Sequence, residues 1–475
     1  MIDFKFITEP YSFQYEVWKK GIENNSLGLL LDLGLGKTKC SIDIMRYRIQ
    51  QGQVNRVLVI CPTSILYNWD KEVKLHSEYS PIVLHGLRES RLQKFRQKNN
   101  YQFFIINYEA LHLFFEEILK LKADGIIFDE SARYIKNIGA KRTKAAIKLA
   151  DITPYRLLLT ATPIANRPLD VWSQLRILDG GKTLGRNFYK YRNLFFRKVL
   201  VGRGRRWPKW IFKSQYSKAL NEAIFSCCIM KSKKECIDLP KQIFNKYELQ
   251  MPYELEKIYR KIQSEVLGEI RTLEGSAQFR VNNILTKLLR LQQVTSGFIR
   301  DEVSGAIQEL ELKPKLDALI EQIQIILDAE ESVIVWCRFL HSIDMIKERL
   351  ENERIKCITM SGQDKNKYIK WKTFQKSKEI KVFIGQIESG GLGIELFKEN
   401  STNKNQYMIF YENTWSLDVR QQATGRIHRI GQKSHCVYID LIMKNTIDEK
   451  ILKTLEGNKK VADMILKYGA NGFLK

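Results

Sequence analysis

A glycine-flanked lysine followed by a hydroxyl residue is the first place in this sequence where residue type and spacing specify chemistry. Gly34-Leu35-Gly36-Lys37-Thr38 follows the apolar run GLLLDL and precedes KCSIDIMRYRI, whose pattern is helical. Glycines let backbone N–H groups close on phosphate oxygens, and the start of a helix adds positive potential. A lysine placed there reaches β- and γ-phosphates, and the adjacent threonine hydroxyl is a Mg²⁺ ligand. Gly34, Leu35, Gly36, Lys37 and Thr38 are therefore the predicted nucleotide-binding set. The spacing departs from the full G-x-x-x-x-G-K-[ST] pattern, because Leu31 occupies the place of the first glycine. Such a loop needs an acidic partner, and Gly125-Ile126-Ile127-Phe128-Asp129-Glu130 supplies two carboxylates at the end of a β-type run. Asp129 is predicted to hold the metal, and Glu130 to orient and deprotonate an attacking water. Either motif alone also reads as a solvated turn; their occurrence together in one half of the chain favours the nucleotide site.

The elements that must position these groups follow from the hydrophobic pattern. Short β-branched and aromatic runs recur at 57–61, 103–107, 125–129 and 156–160, separated by helical stretches. That is the rhythm of a parallel sheet. It pauses after Leu178 and resumes at 332–337, 357–360, 381–385, 407–411 and 436–440. The fold class predicted is α/β, two RecA-like parallel-sheet lobes in tandem with helical insertions between them. The first lobe is placed at 1–180, a basic and helical protrusion and linker at 181–310, and the second lobe at 311–475. The middle region reads mainly as amphipathic helix, preceded by the loop VGRGRRWPKW.

Composition bounds the partners. The 475 residues carry a formal charge of +25, and between Gly181 and Gln250 there are 17 Lys+Arg against 4 Asp+Glu. A concentrated positive field recruits polyanions such as nucleic acid. No apolar run approaches the roughly 20 residues that span a bilayer, and the N-terminus lacks the pattern of a secretory signal. Neither membrane association nor secretion is expected; the cytoplasm of a bacterial or virus-infected cell, or the nucleus, is. The eight cysteines show no C-x-x-C pair and no neighbouring His cluster, which argues against a disulfide framework or zinc site.

Six blocks taken together, DLGLGKT, CPTSILYNWDKEV, FDESARYIKN, LLLTATPIANRPLDVW, SGGLGIEL and QQATGRIHRIGQ, span nearly the whole chain in order. In them the chain resembles the Swi/Snf-related superfamily 2 DNA translocases, in a minimal bacterial or viral form. The resemblance implies two lobes closing on one ATP with Mg²⁺ and gripping double-stranded DNA. It implies that Gln14 reads the adenine edge and that Thr160, Thr162 and Gln422 couple hydrolysis to lobe motion. Arg426 and Arg429, three apart and so on one face of a helix, become the arginine fingers that meet the γ-phosphate. With Lys37, Asp129 and Glu130 they complete the catalytic set. Nucleic-acid contacts are expected from Thr63, Ser64, Tyr108, Arg338, Ser389 and Gly390, together with Arg203, Arg205 and Arg206 of the basic loop, whose cations alternate with aromatics. That loop reads equally well as a solvated one. The sequence departs from the family at Leu31-Asp32, where many relatives carry Asp-Glu. It departs again at Ala132, where His commonly follows the acids, so coupling to the other lobe is expected to use other residues.

The function expected is ATP-dependent translocation on duplex DNA that remodels DNA or protein–DNA complexes. A strand-separating or annealing helicase acting on forked or single-stranded DNA or on RNA is the alternative, and a non-catalytic scaffold is a third reading. A monomer is the expected state, with room for an activating protein partner.

Overall fold

The computed structural model describes residues 4–161, 168–201, 207–236, 240–271, 277–301, 304–364, 366–390, 396, 405–428 and 432–457. The chain divides into two compact units, Met1–Val201 with Pro208–Asp238, and Leu239–Lys475 with Gly202–Trp207. Each is built on a sheet whose central strands are apolar on both faces, as strands covered by helices on either side must be.

In chain order the first unit contains β1 (Ser26–Leu31), β2 (Val57–Cys61), β3 (Pro81–Val83), β4 (Phe103–Asn107), β5 (Gly125–Phe128) and β6 (Tyr155–Thr160). A two-stranded pair, β7 (Phe196–Val201) and β8 (Trp207–Phe212), follows, and then β9 (Cys228–Lys231). Seven of these form one sheet in the order β3-β4-β2-β5-β6-β1-β9, with every pairing parallel. Strands β2, β4 and β5 are buried along their whole length. Their VLVIC, FFIIN and GIIF runs are uninterrupted apolar sequence for that reason.

The second unit contains β10 (Gln242–Leu249), the short antiparallel pair β11 (Phe298–Arg300) and β12 (Ile307–Glu309), then β13 (Val333–Cys337), β14 (Cys357–Met360), β15 (Val382–Gln386), β16 (Asn405–Phe410) and β17 (His435–Met443). Its main sheet has the order β10-β17-β16-β13-β15-β14, again parallel throughout. Alternate residues feed separate cores: Val333, Val335 and Cys337 pack on one face, Ile334 and Trp336 on the other. The amphipathic helices Tyr253–Arg271 and Ala277–Thr295 build a third core with helix Ile447–Glu456, through Leu255, Tyr259, Val266, Leu288, Leu291, Ile447 and Ile451.

The expected boundary at 180 needs correction. Strand β9 completes the first sheet by pairing with β1, so the first unit runs to Asp238. The segment 181–310 is therefore divided between the units. Its expected helical character holds for 253–271 and 277–295 but not for β7 to β10. Residues Trp207–Trp210, read as loop, lie in β8. Among the described residues no helix is long and apolar enough to cross a membrane.

Among the described residues, two buried ion pairs lie inside the second unit. Arg420 donates to both oxygens of Asp440, at 2.7 and 2.9 Å, and to Asn413 Oδ1 at 2.5 Å, with its guanidinium over the Phe410 ring. Lys315, itself buried, meets Asp448 at 2.6 Å. Removing one member of such a pair leaves the other charged in a poorly polarisable interior. Asp440→Ala is accordingly expected to destabilise the second unit by about 3–5 kcal/mol, read as a lower urea midpoint in equilibrium unfolding of the whole chain.

Candidate functional site

The loop that leaves β1 turns twice through left-handed backbone, at Gly34 (φ 85°) and Gly36 (φ 75°), where a side chain would be strained. Helix Lys37–Gln50 starts at once. The Lys37 ammonium folds back onto the loop, donating to the carbonyls of Leu31 at 2.7 Å and Asp32 at 3.2 Å. An anion seated on the loop competes with those neutral carbonyls for the same cation. Thr38, in the first helical turn and half-buried, stands beside it.

Gln14 supports this loop from behind. Its Oε1 accepts from Tyr11 N at 3.1 Å, which caps helix Ser12–Glu23, and its Nε2 donates to Leu35 O at 3.2 Å. A methyl group at position 36 would stand 2.5 Å from Gln14 Nε2, so the Gln14 amide would have to shift to admit one, and it is the backbone conformation that demands glycine. Both ends of the Gln14 carboxamide thus have protein partners in the position where adenine reading was expected. Asp32 does a job the sequence did not reveal. Its N–H donates to Lys231 O at 3.1 Å, and its Oδ2 accepts from Lys233 N at 2.9 Å, which moors the glycine loop to β9.

At the end of β5, Asp129 is buried and its carboxylate is held on both sides. Oδ2 accepts from the indole N–H of Trp69 at 2.9 Å, and Oδ1 from Glu130 N at 2.9 Å. Burial pushes this carboxyl up to about 6, with the Glu130 charge adding to the rise, while the Trp69 N–H and the Lys37 ammonium oppose it. Glu130 takes a left-handed conformation, φ 52°. For a residue with a Cβ this costs roughly 1–2 kcal/mol, and backbone held in such a state clusters at functional sites. Ser131, fully buried, ties the turn to β6 and to helix Val171–Asp179 through Leu159 O at 3.4 Å and Gln174 Oε1 at 3.3 Å.

Topology brings these pieces together. Strand β6 lies between β1 and β5, its pairing with β1 running to Leu30 opposite Thr160 and its pairing with β5 to Phe128 opposite Leu158. Loop, Thr160 and acid pair therefore sit at the C-terminal ends of three adjacent parallel strands, where open α/β sheets take their ligands. Thr160 is buried there.

Several other expectations fall differently. Tyr108 cannot contact nucleic acid: it is fully buried, stacks on Tyr134 with centroids 4.7 Å apart, and donates its hydroxyl proton to Asp129 O at 2.7 Å. It braces the acid pair from the core. Arg338 is largely enclosed, 3.3 Å from Glu388 Oε1 and 5.9 Å from the Trp415 ring, and its buried Nη1 has no hydrogen-bond partner among the described residues. Arg426 does not ride on a helix face; helix Leu417–Thr424 ends before it, and Arg426 follows Gly425 in a buried turn. Gln422 is on that helix, half-buried. Thr63 and Ser64 are exposed on the turn after β2. Ser389 and Gly390 end the short helix Ile387–Gly390 after β15. Thr162, Arg203, Arg205, Arg206 and Arg429 lie outside the described residues. Trp69 and Asp32 were missed although both sit inside quoted motif blocks, because a pattern marks a position without saying what it bonds.

Residues 15–297 match the SNF2-related domain, well over half of the chain. The chain belongs to the SNF2-related family. Residues 314–431 match the helicase conserved C-terminal domain, so this SNF2-related chain carries both domains of a superfamily 2 ATPase. It is 28% identical over 468 residues to an uncharacterized ATP-dependent helicase of Mycoplasma genitalium, covering 96% of this chain and 42% of the relative. It is 24% identical over 494 residues to the ISWI chromatin-remodeling complex ATPase of Saccharomyces cerevisiae, covering 98% and 41%. The SNF2-related chain thus spans less than half the length of these relatives. The SWI2/SNF2 ATPase core of Sulfolobus solfataricus, solved in complex with dsDNA, aligns over 99% of this chain and 95% of that one at 23% identity and a TM-score of 0.44.

If Tyr108 is a brace, losing its hydroxyl strands a buried carbonyl and leaves the surface untouched. Tyr108→Phe is expected to lower unfolding free energy by about 1–3 kcal/mol, with the affinity for duplex DNA unchanged in a fluorescence-anisotropy titration.

Proposed function

We propose that this SNF2-related chain hydrolyses ATP with Mg²⁺ and uses the cycle to move along double-stranded DNA, remodelling DNA or the complexes bound to it. The observation that carries the proposal is the alignment of the glycine loop with Lys37, buried Thr160 and the Asp129-Glu130 turn at the ends of β1, β6 and β5. In this reading the loop amides and Lys37 bind the β- and γ-phosphates. Asp129 and the Thr38 hydroxyl offer oxygen donors of the kind a hard divalent cation takes, and the buried carboxylate, raised to about 6, has charge to gain from one. The cation would neutralise phosphate charge. Glu130, beyond the carboxylate and unlike it in a strained turn, receives the proton of the attacking water. Arg426 and Arg429 are proposed to add positive charge at the γ-phosphate.

Translocation on duplex DNA is supported by the family, by relatives named as helicases and as a chromatin-remodeling ATPase, and by the charge of +25. Steady-state hydrolysis measured in parallel without nucleic acid and with duplex DNA, single-stranded DNA or RNA tests it. Duplex DNA alone should stimulate strongly. Glu130→Gln is expected to reduce turnover by about 10²-fold or more and to leave DNA binding intact. Preference for single strands or RNA overturns the duplex assignment in favour of a helicase.

Protons and Mg²⁺ compete for Asp129. Its folded-state carboxyl is raised to about 6, so the ionised form that binds a cation is present above that pH and lost below it. The Mg²⁺ concentration giving half-maximal turnover is expected to be flat above pH 7 and to climb toward tenfold per pH unit below about 6. A requirement that stays constant down to pH 5 removes Asp129 from the metal site.

A further inference from the structure

Helix Ser217–Cys227 ends and β9 begins on adjacent cysteines. The two sulfurs are 4.0 Å apart. Cys227 is half-buried and reachable from solvent, whereas Cys228 is buried. Cys40, Cys61, Cys337 and Cys436 are all buried and none has a cysteine beside it in sequence. Contact with Cys228 holds the Cys227 thiol below its ordinary range, while that same contact and burial push Cys228 up. The more accessible sulfur is thus placed to meet an oxidant first and the buried one to close on it, the arrangement of an attacking and a resolving thiol.

What surrounds Cys228 gives the pair a consequence. Its backbone is the first rung of the β1–β9 pairing, opposite Gly28. Its sulfur fills the space where that glycine has no side chain; a methyl at 28 would lie 2.4 Å from Sγ. Three residues on, Lys231 O accepts the Asp32 N–H, and Lys233 N reaches the Asp32 carboxylate. Strand β9 therefore connects the dithiol at one end to the glycine loop at the other.

We propose that Cys227 and Cys228 form a dithiol oxidation site for hydrogen peroxide, closing to a disulfide between neighbouring residues that loosens β9 from β1 and lowers nucleotide affinity. The Cys227 thiolate attacks one peroxide oxygen; the O–O bond breaks, one water leaves after protonation, and Cys227 becomes a sulfenic acid. The Cys228 sulfur then attacks the Cys227 sulfur, the S–O bond breaks, and a second water leaves. Two thiols are oxidised to one disulfide and one peroxide is reduced to two waters, so the step balances. A disulfide wants Cα atoms about 4.4–6.8 Å apart, wider than the 3.8 Å of neighbouring residues. The ring therefore cannot close without distorting the helix end or drawing Cys228 off Gly28.

The oxidation chemistry stands on the cysteine geometry alone, while its effect on affinity rests on the nucleotide-site reading. The test treats the full chain with hydrogen peroxide, maps the Cys227–Cys228 peptide by mass spectrometry, and titrates a fluorescent ATP analogue before oxidation, after it, and after reduction with dithiothreitol. Expected are loss of two hydrogens from that peptide and a several-fold, reversible loss of affinity, both absent from Cys227→Ser. Failure of the bridge to form overturns the site. A bridge with unchanged affinity overturns its transmission to the loop. An equal loss of affinity in oxidised Cys227→Ser assigns the sensitivity to another cysteine and also overturns the proposal. Failure of the reduced protein to bind the analogue refutes the nucleotide reading, and the peptide map still decides the dithiol.

Discussion

A carboxylate taken out of water must be given hydrogen bonds or it takes up a proton, and the first unit is organised around meeting that requirement at Asp129. The Trp69 indole and the Glu130 amide occupy its two oxygens, which favours the charged form against burial. Each donor then has to be held. Trp69 is fixed by burial on helix Leu66–His76, and Glu130 by a left-handed turn that only the surrounding bonds can maintain. Tyr108 secures the Asp129 carbonyl, and Ser131 anchors the next residue to β6 and to helix Val171–Asp179. Four segments far apart in sequence thus converge on one turn, each there for a bond the acid pair needs.

The same requirement explains why the sheet interior was legible in the sequence and its margins were not. Strands buried on both faces have no freedom but to be apolar throughout, so β2 and β4 fall on the expected runs to the residue, and β5, β6, β13 and β15 within one or two. Edge strands carry no such signature. β3 has three residues, and β10 alternates exposed and half-buried positions along QIFNKYEL, a pattern with as many polar as apolar side chains. β9 is a four-residue run, CIMK, following a helix without a break. Its place in the first sheet depends on pairing with β1, some 200 residues earlier, which no local window contains.

Residue type showed where chemistry could occur, and burial decided which of those residues face it. Tyr108 follows a strand at a place where a phosphate contact is plausible, yet its ring is needed under Tyr134 and its hydroxyl under Asp129. Arg338 is similar: the end of β13 puts it near Glu388, and its own amide is fixed by the buried Glu412 carboxylate at 2.6 Å. Glu412 also accepts from Phe339 N and the Ser342 hydroxyl. Burial pushes this carboxyl up while those donors and Lys315 pull it down. Sequence carries the identity of such a residue but not the competing demand on it.

The glycine loop itself shows how far a motif can be taken. Glycine at 34 and 36 is explained locally by two left-handed turns, and the Gln14 amide packs against position 36. Leu31, which stands where the full pattern has glycine, is a wholly buried strand residue, so the chain still runs as sheet at that point and the loop opens only after it. Asp32 bonds outward, to Lys231 at the end of β9 and to Lys233 just beyond it, so that part of the geometry of the glycine loop is supplied by a strand that belongs to none of its motifs. A motif with a missing glycine is then compatible with a formed loop, provided the edge of the sheet stays in place to hold it.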